Sequence, residues 1–143
     1  MQGKQTVRGA ALTLVGLVAL AVASSAPAGG TATIAIRHAM HGCHTWAFNS
    51  GPFKPSLSVN VSSGTVVRVT NNDVMPHKLI QTAGPRVRLI HQNMSKMASS
   101  ATVKLTTKGV YRFTTKAGED YPWATSMKTV GEDNVLRLTV RVK

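Results

Sequence analysis

Cysteine, acidic residues and aromatic residues are all scarce in this chain of 143 residues. Its single cysteine, Cys43, excludes an internal disulfide, so a small domain has to be held together by its hydrophobic core or by a bound metal. Seventeen Lys and Arg stand against five Asp and Glu, which gives a formal net charge of +12. With 5% aromatic residues the chain lacks the interleaved stacking side chains of a single-strand binder, so no nucleic-acid partner is expected.

Long apolar runs are also rare, and the one that exists lies close to the N-terminus. Two early cations precede the apolar residues 10–23, and a stretch of small residues follows. This order predicts a secretory signal peptide over residues 1–28, with cleavage after Ala28 or, alternatively, after Ala23. The run is shorter than the roughly 18 to 20 apolar residues that cross a bilayer, so no stable membrane anchor is expected. The sequence therefore predicts export to the periplasm or to the extracellular or cell-wall space.

Residues 29–143 are enough for one compact domain with one core, and we expect a monomer. The excess of Lys and Arg favours acidic partners. These cations are scattered along the chain without a run of five like charges, which is also typical of solvated strand faces.

Apolar residues recur with a period of two, whereas a helical period is absent after residue 28. Leu57, Val59 and Val61 alternate with polar residues, for example. About eight short strands separated by turn residues predict an all-β fold, a two-sheet antiparallel sandwich. A hint of a helical turn is confined to residues 93–100. The predicted strands are 31–37, 57–61, 65–70, 78–82, 86–90, 102–106, 110–115 and 136–142.

Two segments supply side chains that bind metals. Residues 38–44 (HAMHGCH) place the cysteine among histidines, and residues 71–77 (NNDVMPH) deliver another imidazole from the end of a strand. Thiolate and imidazole are the ligands that copper and zinc prefer. Because successive side chains of a strand point to opposite faces, Cys43 and His44 both reach one ion only if the backbone turns beside them. His41 is the substitute for His44.

The order of residues also resembles a known family over nearly all of 29–143. Residues 63–72 followed by 75–77 resemble the glycine turn, strand, paired asparagines and first histidine ligand of the cupredoxins. Residues 109–113 (GVYRF) resemble the strand that leads into the ligand loop of that family. The resemblance implies a Greek-key sandwich that holds one copper ion at one end, with His77 as a ligand, and that transfers electrons to a redox partner protein.

The chain departs from the family where the family supplies a cysteine and a second histidine, because it carries Thr115 at that cysteine position and no histidine after it. Either the metal was lost, or these ligands come from elsewhere in the fold. We expect the second case, with Cys43 and His44 supplied by the connection between the first two strands and joined by His77. Met127 resembles the axial methionine of the family. Its possible substitutes are Glu119, Met75, Met94 and Met97.

These residues predict an exported copper protein, and electron transfer is the expected function. The alternatives are copper delivery, storage or tolerance with a copper donor or acceptor, or a cupredoxin-like module without metal. An enzyme is not expected, because the sequence shows no nucleophile triad motif, no phosphate-binding glycine loop and no paired carboxylates beside an apolar pocket. His38 and His91 are interpreted as surface or strand histidines.

Overall fold

The computed structural model describes residues 29–40, 43–117 and 135–143, and within these ranges all regular structure is β-strand. The predicted signal peptide, His41, Glu119 and Met127 lie outside the described residues. No helix able to cross a membrane was found in the described part of the chain. The strands are β1 (Thr31–Ala39), β2 (Cys43–Phe48), β3 (Ser56–Val61), β4 (Thr65–Asn72), β5 (His77–Ala83), β6 (Asn93–Met94), β7 (Ser100–Leu105), β8 (Gly109–Ala117) and β9 (Arg137–Val142).

The strands form two sheets, with the orders β2-β1-β4-β7 and β3-β9-β8-β5-β6. The predicted all-β, two-sheet sandwich is confirmed. Two strand pairs, β1 with β4 and β3 with β9, are parallel, and the others are antiparallel. The sheets are therefore mixed, where the alternation pattern had suggested antiparallel sheets only.

Alternating side chains of most strands point between the sheets and form the core. Every second residue is buried from Ala32 to Ile36 of β1 and along all of β9, which is the pattern that the sequence showed. Full burial of one such aliphatic side chain contributes about 1.5–3 kcal/mol. The largest fully buried side chains are Trp46, Tyr111, Ile34, Ile36, Leu79, Met94, Leu105, Leu136, Leu138, Val61, Val67 and Val69.

Three local predictions differ from the structure. The strand predicted over residues 86–90 is not formed. Only Ile90 pairs, in an isolated bridge with Thr102. The helical hint over 93–100 is wrong: these residues contain β6, a turn and the start of β7. Strand β2 was missed, because four of its six residues in a row are buried and period-two alternation is therefore absent. Cys43 and His44 thus begin a strand and do not lie within a loop.

The strand register brings four chain segments together at one end of the sandwich. Arg37 near the end of β1 pairs with Asn72 at the end of β4. Strand β2 starts at this same end, because it runs antiparallel to β1. His77 begins β5 and pairs with Ala117, the last residue of β8. This end carries the candidate ligands.

Candidate metal centre

The turn between β4 and β5 is organised by Asn71, whose side chain is fully buried. Its amide nitrogen donates to the carbonyl oxygens of Met75 at 2.8 Å and Met94 at 3.1 Å. Its amide oxygen accepts from the Asp73 N–H at 2.9 Å. The turn is therefore tied both to itself and to β6, which fixes the chain immediately before the histidine.

His77 enters the core directly from this turn. Pro76 precedes it and restricts both its own φ and the backbone of the residue before it. The His77 side chain is 0% exposed, so the imidazole points between the sheets. Met94 of β6 is its cross-strand partner and is also fully buried. Among the methionines that the sequence analysis named as substitutes for Met127, Met94 is thus paired in register with the candidate ligand His77.

The opposite side of the site comes from the hairpin of β1 and β2. His44 is buried, whereas Cys43 is half-buried. The φ angle of Cys43 is 52°, in the left-handed region that non-glycine residues rarely adopt. The backbone therefore turns at Cys43 itself, and this is the departure from an extended strand that joint ligation by Cys43 and His44 requires.

Asp73 lies between the two sides and contacts three imidazoles. His44 Nδ1 is 2.7 Å and His77 Nε2 is 3.1 Å from the same carboxylate oxygen, Oδ2. The other oxygen, Oδ1, accepts from the Met75 N–H at 3.2 Å and lies 3.7 Å from Nδ1 of the half-exposed His38. Asp73 is itself fully buried. A single carboxylate thus links the β1–β2 hairpin to the β4–β5 turn.

His44, Asp73 and His77 form the group of potential metal ligands found among the described residues. One ligand atom from each lies within 4.8 Å of the others. The two imidazoles meet edge to face, with ring centroids 4.7 Å apart and an interplanar angle of 86°. Cys43 is not a member of this group, although it precedes His44 directly in the chain.

The environment shifts the pKa values of two members of the group. Burial raises the pKa of Asp73, but the hydrogen bonds from His44, His77 and the Met75 N–H outweigh it and hold the pKa below 3.8. Burial lowers the pKa of His77 below 6.5, and its hydrogen bond to Asp73 opposes that shift only in part. At neutral pH the site therefore holds an ionised Asp73 beside a neutral His77.

The ionised Asp73 decides which ring nitrogen of a neutral His44 or His77 carries the proton. An ionised carboxylate only accepts hydrogen bonds, so His77 donates from Nε2 and the neutral form of His44 donates from Nδ1. The lone pair of His77 is then on Nδ1, which lies 3.3 Å from the Thr115 hydroxyl, a donor that suits it. Ligation by His77 through Nδ1 and by His44 through Nε2 keeps both hydrogen bonds to Asp73. Carboxylates commonly orient metal-binding histidines in this way.

The structure thus brings together two of the predicted ligands, His44 and His77. Ligation by Cys43 stays a prediction, and so does that by Met127, which is outside the described residues. Sequence reasoning missed Asp73, because an Asn-Asn-Asp segment before a proline is typical of a solvated turn. His38 is a half-exposed histidine of strand β1, as predicted, but sequence reasoning did not foresee that its ring lies 3.7 Å from Asp73. Its spacing from His44 in residues 38–44 was the available signal.

Known proteins similar to this chain are found among solved structures. Neither a family model nor a curated protein matches the chain. Among solved structures, the chain is similar to rusticyanin from Thiobacillus ferrooxidans, with 12% identity, 83% of this chain and 80% of that chain covered, and a TM-score of 0.44. It is also similar to the purple cupredoxin from Nitrosopumilus maritimus, with 20% identity, coverage of 76% and 97%, and a TM-score of 0.39.

A third similar structure is an oxidized mutant of amicyanin, with 16% identity, coverage of 78% and 82%, and a TM-score of 0.40. The two-sheet sandwich and the placement of His44, Asp73 and His77 both rest on the strand order and the distances described above.

Proposed function

We propose that this chain is an exported, mononuclear copper protein that carries electrons and is not an enzyme. His44, His77 and Cys43 are its ligands in this proposal. The observation that carries the proposal is the convergence of two buried imidazoles, from β2 and β5, at one end of the sandwich. The end of β1, the start of β2, the β4–β5 turn and the end of β8 meet at this end of the sandwich.

The donors suit copper. Two imidazoles are held in defined tautomers by Asp73, and the thiol of Cys43 stands at the start of the same strand as His44. Imidazole and thiolate together bind copper in both of its common oxidation states, and thiolate favours Cu(I). Copper bound there supplies a one-electron couple, and Asp73 acts on it through the orientation of the two histidines.

The rigidity of the β4–β5 turn supports electron transfer. A carrier has to hold its metal in both oxidation states with little rearrangement. The hydrogen bonds of Asn71 and Asp73 fix the backbone on both sides of that turn. Burial of His44 and His77 keeps water away, which also tunes a redox site. The net positive charge suits an acidic redox partner.

Copper delivery or storage is the second candidate, and exposed thioethers favour it. Met40, in the β1–β2 hairpin close to Cys43, is 93% exposed, and Met97 is 54% exposed. Large apolar side chains are usually more buried than this. Thioethers are soft ligands that favour Cu(I), so an exposed methionine in the hairpin that carries Cys43 suits transient capture of that ion.

Copper titration of the purified exported domain tests the proposal. We expect one tightly bound copper per chain, lost in both His44→Ala and His77→Ala. His91→Ala is the matched control, because His91 is an exposed histidine outside the ligand group, and it should keep full binding. Full copper retention in His44→Ala and His77→Ala after dialysis would overturn the proposed site.

The visible spectrum of the Cu(II)-loaded protein tests the thiolate. An intense thiolate-to-copper absorption band is expected in the wild type and should vanish in Cys43→Ser. A wild-type spectrum without that band would remove Cys43 from the ligand set and leave an imidazole site. Reversible reduction and reoxidation without copper loss supports the electron carrier. Release of Cu(I) to a competing chelator after reduction, together with weaker Cu(I) binding in Met40→Leu, would favour copper delivery instead.

A further inference from the structure

The outer face of the second sheet carries an alternating arrangement of arginine and threonine. In the register of β8 with β9, Arg112 lies opposite Thr139, and Thr114 lies opposite Arg137. The two arginines are therefore diagonal neighbours, at a separation that long side chains can span. Both arginines are exposed and both threonines are half-buried. Two exposed arginines thus alternate with two half-buried threonines on this face.

This arrangement forms a cleft. Its volume is about 350 Å³, and its polar lining includes Arg112, Arg137, Thr139 and Thr82. Thr82 lies where the register of β5 with β8 shifts between Gln81 and Ala83. Such bulges commonly re-aim a side chain. Here the bulge adds a third threonine to the arginine and threonine pairs of β8 and β9.

The hydroxyl groups are not equivalent. Thr114 Oγ1 donates to the Leu136 carbonyl oxygen at 2.7 Å, which holds the rim of the cleft in place. Thr139 and Thr82 line the same cleft and bring two further hydroxyl groups to it. The cleft therefore offers a ligand two guanidinium charges and threonine hydroxyl groups, beside the apolar residues Phe113, Val135 and Leu138 that also line it.

Nothing among the described residues neutralises the positive charge of this face. The only acidic residue in those ranges is Asp73, and it is buried between the sheets at the candidate metal centre. Arg141 extends the face along β9, and its guanidinium donates to Ser58 of β3. Lys78 and Lys116 lie directly opposite each other on β5 and β8 and add to the positive charge of this sheet, outside the lining of the cleft.

We propose that the cleft lined by Arg112, Arg137, Thr82 and Thr139 binds a phosphate-type oxyanion. Guanidinium groups recognise such oxygens through paired, charge-assisted hydrogen bonds, and threonine hydroxyls supply further donors. The oxyanion is either free phosphate or the phosphate of a lipid headgroup. This site is separate from the ligand group of His44, Asp73 and His77, so it does not depend on copper binding.

The test titrates inorganic phosphate into the full exported domain without copper and follows backbone amide resonances by NMR. We expect saturable shifts centred on Thr114 and Thr139. Arg112→Gln and Arg137→Gln should each weaken binding by about tenfold or more, since each removes a charge-assisted contact. Arg68→Gln is the matched control. Arg68 is an exposed arginine on the other sheet, paired in register with Thr33 and Thr102.

Equal weakening in all three variants, or unsaturable shifts spread over both sheets, would overturn the proposal in favour of general charge attraction. A second arm uses vesicles of phosphatidylcholine with and without phosphatidylglycerol. Binding to the anionic vesicles that requires Arg112 and Arg137 but not Arg68 assigns the oxyanion to a headgroup. Binding of phosphate alone with the same dependence assigns it to the free ion. If neither phosphate nor anionic vesicles bind while copper binding is unchanged, the oxyanion site is refuted and the proposed metal centre is unaffected.

Discussion

The two sides of the candidate metal centre are built differently. On one side, the β4–β5 turn delivers His77 from a buried network in which Asn71 bonds to the turn and to β6. On the other side, the β1–β2 hairpin delivers His44 next to Cys43, which has a left-handed backbone, and close to Met40, which is 93% exposed. The first side is held by its own hydrogen bonds. The second contacts the first through Asp73.

This difference assigns Asp73 a specific task. Its Oδ2 accepts from both His44 and His77, so the carboxylate positions one ring from each side at the same time. Loss of a ligand, loss of the turn network and loss of the link are therefore three separable perturbations. Each should leave a different trace in copper binding and in stability.

Removal of either histidine should produce the largest effect, on copper-dependent stability. Copper at about a thousandfold excess over its dissociation constant adds about 4 kcal/mol to the free energy of unfolding. In His44→Ala and in His77→Ala this increment should disappear, because each side supplies one imidazole. Urea unfolding with and without copper measures it, and His91→Ala should retain it. An increment retained in one of the two variants would show that only one side binds the metal.

Asn71→Ala should produce the next largest effect, on the stability of the metal-free protein. It removes three hydrogen bonds of a fully buried side chain and leaves buried backbone groups unsatisfied, which should cost about 3 kcal/mol. Asn72→Ala is the matched control, because the adjacent Asn72 is exposed and its replacement should change stability by less than about 0.5 kcal/mol. Equal effects in urea unfolding would contradict a turn held by Asn71.

Asp73→Asn should have a smaller effect, which is a decrease in the affinity for copper. Loss of an orienting partner typically weakens metal binding by about 10- to 100-fold, whereas loss of a ligand abolishes the site. A competition titration with a chelator measures the difference. A complete loss of binding in Asp73→Asn, equal to that in His77→Ala, would make Asp73 a direct ligand.

Acidification of the metal-free protein gives the smallest change. The pKa of His77 lies below 6.5 in the folded protein, so the unfolded chain takes up more protons as the pH falls below that value. Stability should therefore decline below about pH 6.5. Asp73, with a folded pKa below 3.8, adds a decline in the same direction at lower pH. Urea unfolding from pH 7 to pH 4 measures the slope, which should shrink in His77→Asn. Rising stability on acidification would contradict this assignment.

The sequence predicts the parts of the site that are local in the chain better than the parts that depend on long-range packing. His77 was identified because its turn is local: paired asparagines, a proline and a histidine in a short stretch reveal it. Asp73 lies in the same stretch but acts only once β2 packs against it, and no local pattern records that contact. Most strands were predicted from alternation with one buried face. Strand β2 was not, because its central residues are buried on both faces.

The cleft on the outer face illustrates the same limit. The alternation of arginine and threonine along β9 is visible in the sequence as a polar row. That Arg112 stands diagonal to Arg137 depends on the register of β8 with β9, which is a long-range property. A period of two predicts which face a side chain lies on, but it does not predict its neighbour across the sheet.

Pulsed electron paramagnetic resonance of the Cu(II)-loaded protein tests the central claim most directly, because modulation from the remote imidazole nitrogens counts the coordinated histidines. Two imidazoles are expected in the wild type and in His91→Ala, and only one in any copper that His44→Ala or His77→Ala still holds. A count of one in the wild type, or a count of two in either of these ligand variants, would contradict a copper site shared by the β1–β2 hairpin and the β4–β5 turn.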